Sequence, residues 1–163
     1  MDPKEFTNFY NQNIEKVYRF IFLKVNSQET AQDLTSEAFL KLLNYINQGG
    51  NIKNPRAFLY QTARNLIVDS YREKAKSALP LEEAITVADS RQNPDVEVIL
   101  TSDMELIKKS MANLGGEYAD IITWHYMDDL STKEIGQILG RPEGTIRVML
   151  HRGLRELRNQ MEQ

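Results

Sequence analysis

Residues 131–155 read Ser131-Thr132-Lys133-Glu134-Ile135-Gly136-Gln137-Ile138-Leu139-Gly140-Arg141-Pro142-Glu143-Gly144-Thr145-Ile146-Arg147-Val148-Met149-Leu150-His151-Arg152-Gly153-Leu154-Arg155. Ser131 with Glu134 three residues on is a capping-box pattern, in which hydroxyl and carboxylate satisfy two orphan amides at a helix start. It opens a short helix carrying Ile135, Ile138 and Leu139. Gly140-Arg141-Pro142 stops that helix, because glycine turns freely and proline cannot continue the hydrogen-bond ladder. A longer helix follows from Glu143, with Ile146, Leu150, Leu154 and Leu157 at three- and four-residue steps. A short helix, a tight turn and a longer basic helix is the layout of a helix-turn-helix.

Arg147, His151 and Arg155 are spaced to share one exposed face of this last helix. Arg147 can offer two parallel donors to a guanine edge, while Arg152 and Arg155 can reach phosphates. Thr145 and the amides around Gly144 sit at the positive helix start, where a phosphate is favoured. A plain solvated basic helix has the same residues. The capped first helix and the Gly-Arg-Pro turn weigh for duplex DNA.

Upstream the period stays helical, and no convincing alternating strand occurs. Tyr118, Ile121, Ile122 and His125 form one apolar row, separated by Gly115-Gly116 from Val96, Ile99, Leu100, Leu106 and Ile107 on another. Between Ser77 and Asn93 the periodicity fades into an acidic, small-residue stretch ending at Asn93-Pro94. Near the start, Asp2-Pro3 reads as a cap with proline in the first turn. Phe6, Phe9, Tyr10, Ile14, Val17, Tyr18, Ile21 and Val25 then recur helically until Asn26-Ser27. A second helix carries Ala31, Leu34, Ala38, Leu42 and Ile46, and Gln48-Gly49-Gly50-Asn51 is a loop. Asn54-Pro55 repeats the cap-plus-proline start for a helix with Phe58, Leu59, Thr62, Ala63, Leu66 and Ile67. The expected fold is all-α: a helical domain over 1–77, an acidic linker over 78–94 and a second helical domain over 95–163.

The chain has 163 residues, 41% apolar and 26% charged, an ordinary globular mixture. Cysteine is absent, which excludes disulfides, thiolate zinc sites and cysteine nucleophiles. No apolar run approaches the ~20 residues a membrane helix needs, and the N-terminus has no signal-peptide core. A soluble, cytoplasmic protein is expected. Net charge is −3, which taken whole speaks against nucleic acid, but the distribution is uneven. Residues 53–76 carry a net +4 and residues 141–158 a net +3, while residues 81–105 carry −6.

No catalytic, metal or cofactor site is expected. His125 and His151 are lone histidines, adjacent Asp128-Asp129 diverge on a helix, and no Gly-rich phosphate loop or nucleophile elbow occurs. Trp124 reads as core. On the second basic helix, Gln61, Asn65, Asp69 and Arg72 form a polar stripe bordered by Tyr60 and Arg64. Amides, an aromatic and cations on one face suit single strands, whose splayed bases offer edges and ring faces. An ordinary solvent face with intrahelical hydrogen bonds has the same composition. Asp33, Glu37 and Leu40, with Leu34 and Phe39 beside them, make an acidic-apolar face able to take a partner helix. A solvated face with Phe39 in the core fits the periodicity equally.

With these residues assembled, the chain resembles the compact bacterial sigma factors of the extracytoplasmic-function group. Its first part resembles sigma region 2 in Val17-Tyr18-Arg19-Phe20, Ala31-Gln32-Asp33-Leu34-Thr35-Ser36-Glu37-Ala38-Phe39, residues Asn54 to Leu66, and Asp69-Ser70-Tyr71-Arg72. Its last part resembles region 4 in Ser131 to Gly140, Glu143-Gly144-Thr145-Ile146-Arg147 and Leu150-His151-Arg152-Gly153-Leu154-Arg155. The resemblance implies core RNA polymerase as a partner. Asp33, Leu34, Glu37, Phe39 and Leu40 would dock on the clamp helices of its largest subunit, and the flap of the second largest is a further contact. It implies that Tyr60, Gln61, Arg64, Asn65, Asp69 and Arg72 capture the melted −10 strand. Gly144, Thr145, Arg147, Val148, His151, Arg152 and Arg155 would meet the −35 duplex. The acidic linker would thread a positively charged polymerase channel, and an anti-sigma factor is the usual regulator.

Two departures from the family pattern stand out. Leu114-Gly115 replaces a usual Leu-Pro, and Val148-Met149 replaces a usual polar residue and arginine after Arg147. Two other classes of protein fit part of the sequence. One is a sigma-like protein-binding module that has lost promoter reading. The other is a helix-turn-helix repressor acting without polymerase, which leaves the first domain unexplained.

Overall fold

The computed structural model describes residues 1–76, 106 and 109–162, in two compact units. The expected linker 78–94 lies outside the described residues, as do Val96, Ile99, Leu100 and Ile107. Every element with assigned bounds is helical. Among the described residues no helix is long and apolar enough to cross a membrane.

The first unit is three helices, α1 (Pro3–Val25), α2 (Gln28–Asn47) and α3 (Pro55–Lys76), each packed on the other two. Local chemistry sets their starts. The Asp2 carboxylate accepts from the Glu5 amide at 2.8 Å, and Glu5 accepts from the Asp2 amide at 3.1 Å. Asn26 turns the chain at φ 55°, and the Ser27 hydroxyl accepts from the Thr30 amide to begin α2. The Asn54 side chain accepts from the Ala57 amide at 3.1 Å and begins α3. Alanines at 31, 38 and 63 are wholly buried, so the backbones approach closely around Val17, Ile21, Leu42 and Leu59. Phe20 and Tyr60 meet with ring centroids 5.9 Å apart. Burying a side chain of this size contributes about 1.5–3 kcal/mol. At its far end α3 is tied to α1 by the Tyr71 hydroxyl, which donates to the Lys24 carbonyl.

In the second unit, residues 109–112 are helical, and Leu106, expected on a helix, is helical and exposed. Then come α4 (Gly116–Ile122), a π-helical turn (Thr123–Met127), α5 (Thr132–Leu139) and α6 (Glu143–Met161). The apolar row through Tyr118, Ile121, Ile122 and His125 was expected to continue as one α-helix. Instead the last turn widens, with the Asp128 amide reaching the Thr123 carbonyl at 3.0 Å. Asp120 through Trp124 are all buried, more consecutive positions than one stripe of a 3.6-residue helix places inward. Trp124 is fully buried, as expected, with Ile121, Leu130, Ile135 and Ile146.

The capping box on α5 forms as read: Ser131 accepts from the Glu134 amide and Glu134 from the Ser131 amide, both at 3.0 Å. Gly140 adopts φ 67°, and the Arg141 amide closes on the Gly136 carbonyl at 2.9 Å. The turn is so tight that a Cβ on Gly136 would stand 2.7 Å from the Arg141 carbonyl oxygen. This sets the path from α5 into α6.

Candidate nucleic-acid interface

On α6, Ile146, Met149, Leu150 and Gly153 are buried, while Gly144, Thr145, Arg147, Val148, His151, Arg152 and Arg155 are exposed. The helix period therefore brings all seven expected duplex-facing residues to the solvent side. Arg147 Nη2 lies 2.8 Å from Glu143 Oε1, one turn back. The same oxygen accepts from the Thr132 hydroxyl of α5 at 2.7 Å. The Thr132 hydrogen bond, and then the Arg147 guanidinium, hold the Glu143 carboxyl below its ordinary value. Farther along, Arg155 Nη2 and His151 Nε2 stand 3.0 Å apart.

The two apolar residues after Arg147 separate. Met149 is buried and its sulfur lies 3.3 Å from Arg141 Nη1. Arg141 also grips Glu117 of α4 with both terminal nitrogens, at 2.8 and 2.9 Å. So Arg141, although part of the basic segment, is a brace between α4 and α6. Val148 is 49% exposed. Packing claims one of these apolar residues and leaves the other on the surface. Helical spacing accounts for the split, since Met149 follows Ile146 by three residues and Val148 lies off that row.

On α3, Gln61, Asn65, Asp69 and Arg72 are exposed along one stripe, with Arg64 half-buried beside them. Tyr60 is not on that surface. It is fully buried against Phe20, because α1 and α2 cover α3 from two sides and its buried face is wide. The exposed ring of α3 is Tyr71, half exposed one position before Arg72; the sequence motif contains it but gives it no role in the stripe.

On α2, Asp33, Glu37 and Leu40 are exposed together and Leu34 is half-buried. Glu37 pairs with Lys41 at 3.9 Å on the surface. Phe39 departs from the expected docking face. It is buried, with Tyr10 and Phe9 rings at 4.8 and 6.4 Å. Leu40 is 55% exposed and is the large apolar group of that face. Among the described residues there is no cluster of His, Cys, Asp and Glu able to hold a metal.

Residues 9–77 match the family model for sigma-70 region 2, and residues 104–157 match that for sigma-70, region 4. The chain belongs to the sigma-70 family. Its relatives lie in the extracytoplasmic-function (ECF) group. The ECF sigma factor SigW of Bacillus subtilis is 29% identical, over 98% of this chain and 90% of that one. SigL of Mycobacterium tuberculosis is 28% identical over 91% and 84%. BldN of Streptomyces coelicolor is 27% identical over 93% of this chain, which spans 58% of its length. The sigma factor RpoE from Bartonella quintana, crystallised with the anti-sigma factor NepR, shares the fold with a TM-score of 0.72 at 16% identity, over 98% of both chains. The first unit is thus region 2, with α2 and α3 as its two polar surfaces, and α5 and α6 lie in region 4.

Proposed function

We propose that this chain is a transcription initiation factor that binds core RNA polymerase and directs it to a subset of promoters. The observation that carries the reading is that one chain holds both sigma regions, each with its expected polar face on the surface. Asp33, Glu37 and Leu40 dock on the polymerase clamp helices, an acidic rim around one exposed apolar anchor. Gln61, Asn65, Asp69 and Arg72 take the melted −10 strand. Tyr71 is available for stacking where Tyr60 is not. Withdrawing a base from the duplex costs a few kcal/mol, which stacking and edge contacts must offset. The start of α6 reads the −35 duplex in the major groove, while region 4 meets the flap of the second-largest subunit.

The role is non-enzymatic, in the cytoplasm, with residues 1–77 and 95–163 as domains and 78–94 as the tether. An anti-sigma factor is a further partner, supported by the complex in which the RpoE neighbour was solved. The test is to mix purified chain with core RNA polymerase. A stable co-eluting complex that transcribes from a selected promoter is the expected result. No complex, where another sigma factor binds the same polymerase, would reduce the region 2 likeness to fold and leave duplex binding alone.

A further inference from the structure

We propose that Val148 reads a thymine in the −35 duplex through its C5 methyl group, an inference that rests on α6 being the reading helix. Met149, buried and braced by Arg141, fixes the rotation of α6, so Val148 cannot turn inward and stands 49% exposed. It follows Thr145 by three residues and precedes Arg152 by four, and so lies within the face that carries Arg147 and His151. A β-branched residue is a mediocre helix former, and on this surface it gains little by packing. An isopropyl group neither donates nor accepts a hydrogen bond. Of the groups that base pairs present in the major groove, the thymine methyl is the apolar one. The cations around Val148 favour a polyanion over an apolar protein surface as the occupant. Charge thus brings the duplex, Arg147 supplies a guanine contact, and Val148 fills a neighbouring step by shape.

The full-length chain, alone and with core polymerase, would select sites from a duplex pool with a randomised block. Each thymine of the selected site would then be replaced by deoxyuridine, which keeps the hydrogen-bonding edge and removes only the methyl. The expected result is one position where the replacement weakens binding about fourfold, the size of one buried methyl. Val148→Ala, which shortens an exposed side chain without touching the core, should bind thymine and deoxyuridine equally there. Insensitivity of the native chain at every thymine would overturn the proposal. So would a Val148→Ala chain that still discriminates, which would assign the methyl contact to Thr145. If Arg147→Ala collapses selection while deoxyuridine is neutral, only Val148 reading fails. If the chain selects no sequence at all, promoter reading by α6 fails with it.

Discussion

Glu143 is one carboxylate with two donors on it, the Thr132 hydroxyl and the Arg147 guanidinium. The Arg147 pair is exposed, and such pairs are weak because water and salt screen them. In the proposed duplex contact, a bidentate bond from Arg147 to guanine, which discriminates by about 1–3 kcal/mol, would draw the guanidinium off the carboxylate without a large penalty. The Thr132 hydroxyl of α5 donates to the same Glu143 oxygen, a second tie that does not run through Arg147. Because the folded state holds the Glu143 carboxyl below its ordinary value, it favours the ionised form. This contribution is complete above the ordinary glutamate value near 4.3 and disappears as pH falls through the lower folded value. The melting temperature of the native chain should therefore exceed that of Glu143→Gln by a constant margin from neutral pH down to about pH 5. The margin should close below about pH 4. A gap that widens on acidification would mean the carboxylate strains the turn.

The helix-turn-helix is a close approach between two elements, and its glycines serve opposite needs. At Gly136 a methyl would collide with the Arg141 carbonyl oxygen, a backbone atom that cannot swing away. Gly136→Ala should cost about 1–3 kcal/mol, the usual penalty for overfilling a packed contact. At Gly144 a methyl meets nothing within 4 Å, and alanine is the better helix former by up to about 1 kcal/mol. Gly144→Ala should raise the melting temperature yet weaken duplex binding, because the methyl would stand where the proposed duplex contact brings a phosphate to the α6 amides. Thermal melts and duplex titrations check both, and a Gly136→Ala chain more stable than native would refute the close approach. These ends were legible in the sequence because capping is local: Asp2, Asn54, Ser131 with Glu134, and Gly140 all act as read. That these α6 residues share the exposed side of the helix was legible for the same reason, since one turn of spacing determines it. Tyr60 and Phe39 were not legible. Whether a bordering aromatic faces water depends on how many helices cover it, and four-residue spacing carries no record of that. Nor does hydrophobic spacing encode a hydrogen-bond register, so the π-helical turn at Thr123–Met127 left no trace.

At the scale of the whole chain, charge is partitioned rather than absent. A net −3 coexists with a region 2 helix and a region 4 helix whose segments carry +4 and +3. Each unit has its own core, so damage to one interface should leave the other unit folded and working. Linking two binding modules makes the second binding step intramolecular and so raises its effective concentration. A modest −35 contact thus becomes decisive once region 2 holds polymerase. Leu40→Asp replaces a side chain that is already 55% exposed, so the melting temperature should hardly move. Polymerase co-elution should fall sharply, because a carboxylate would then be desolvated at the apolar anchor. Binding of the free chain to its −35 duplex should be unchanged. Arg147→Ala should show the converse: normal co-elution, with duplex affinity lower by about 1–3 kcal/mol, or roughly 5- to 150-fold. In transcription both variants should fail, and their free-energy losses should add in the double variant to within about 0.5 kcal/mol, as they do for sites that share no partner. If Leu40→Asp weakened duplex binding by the free chain, the two units would be energetically coupled before polymerase arrives, and the tethered-module account would give way to a single cooperative body.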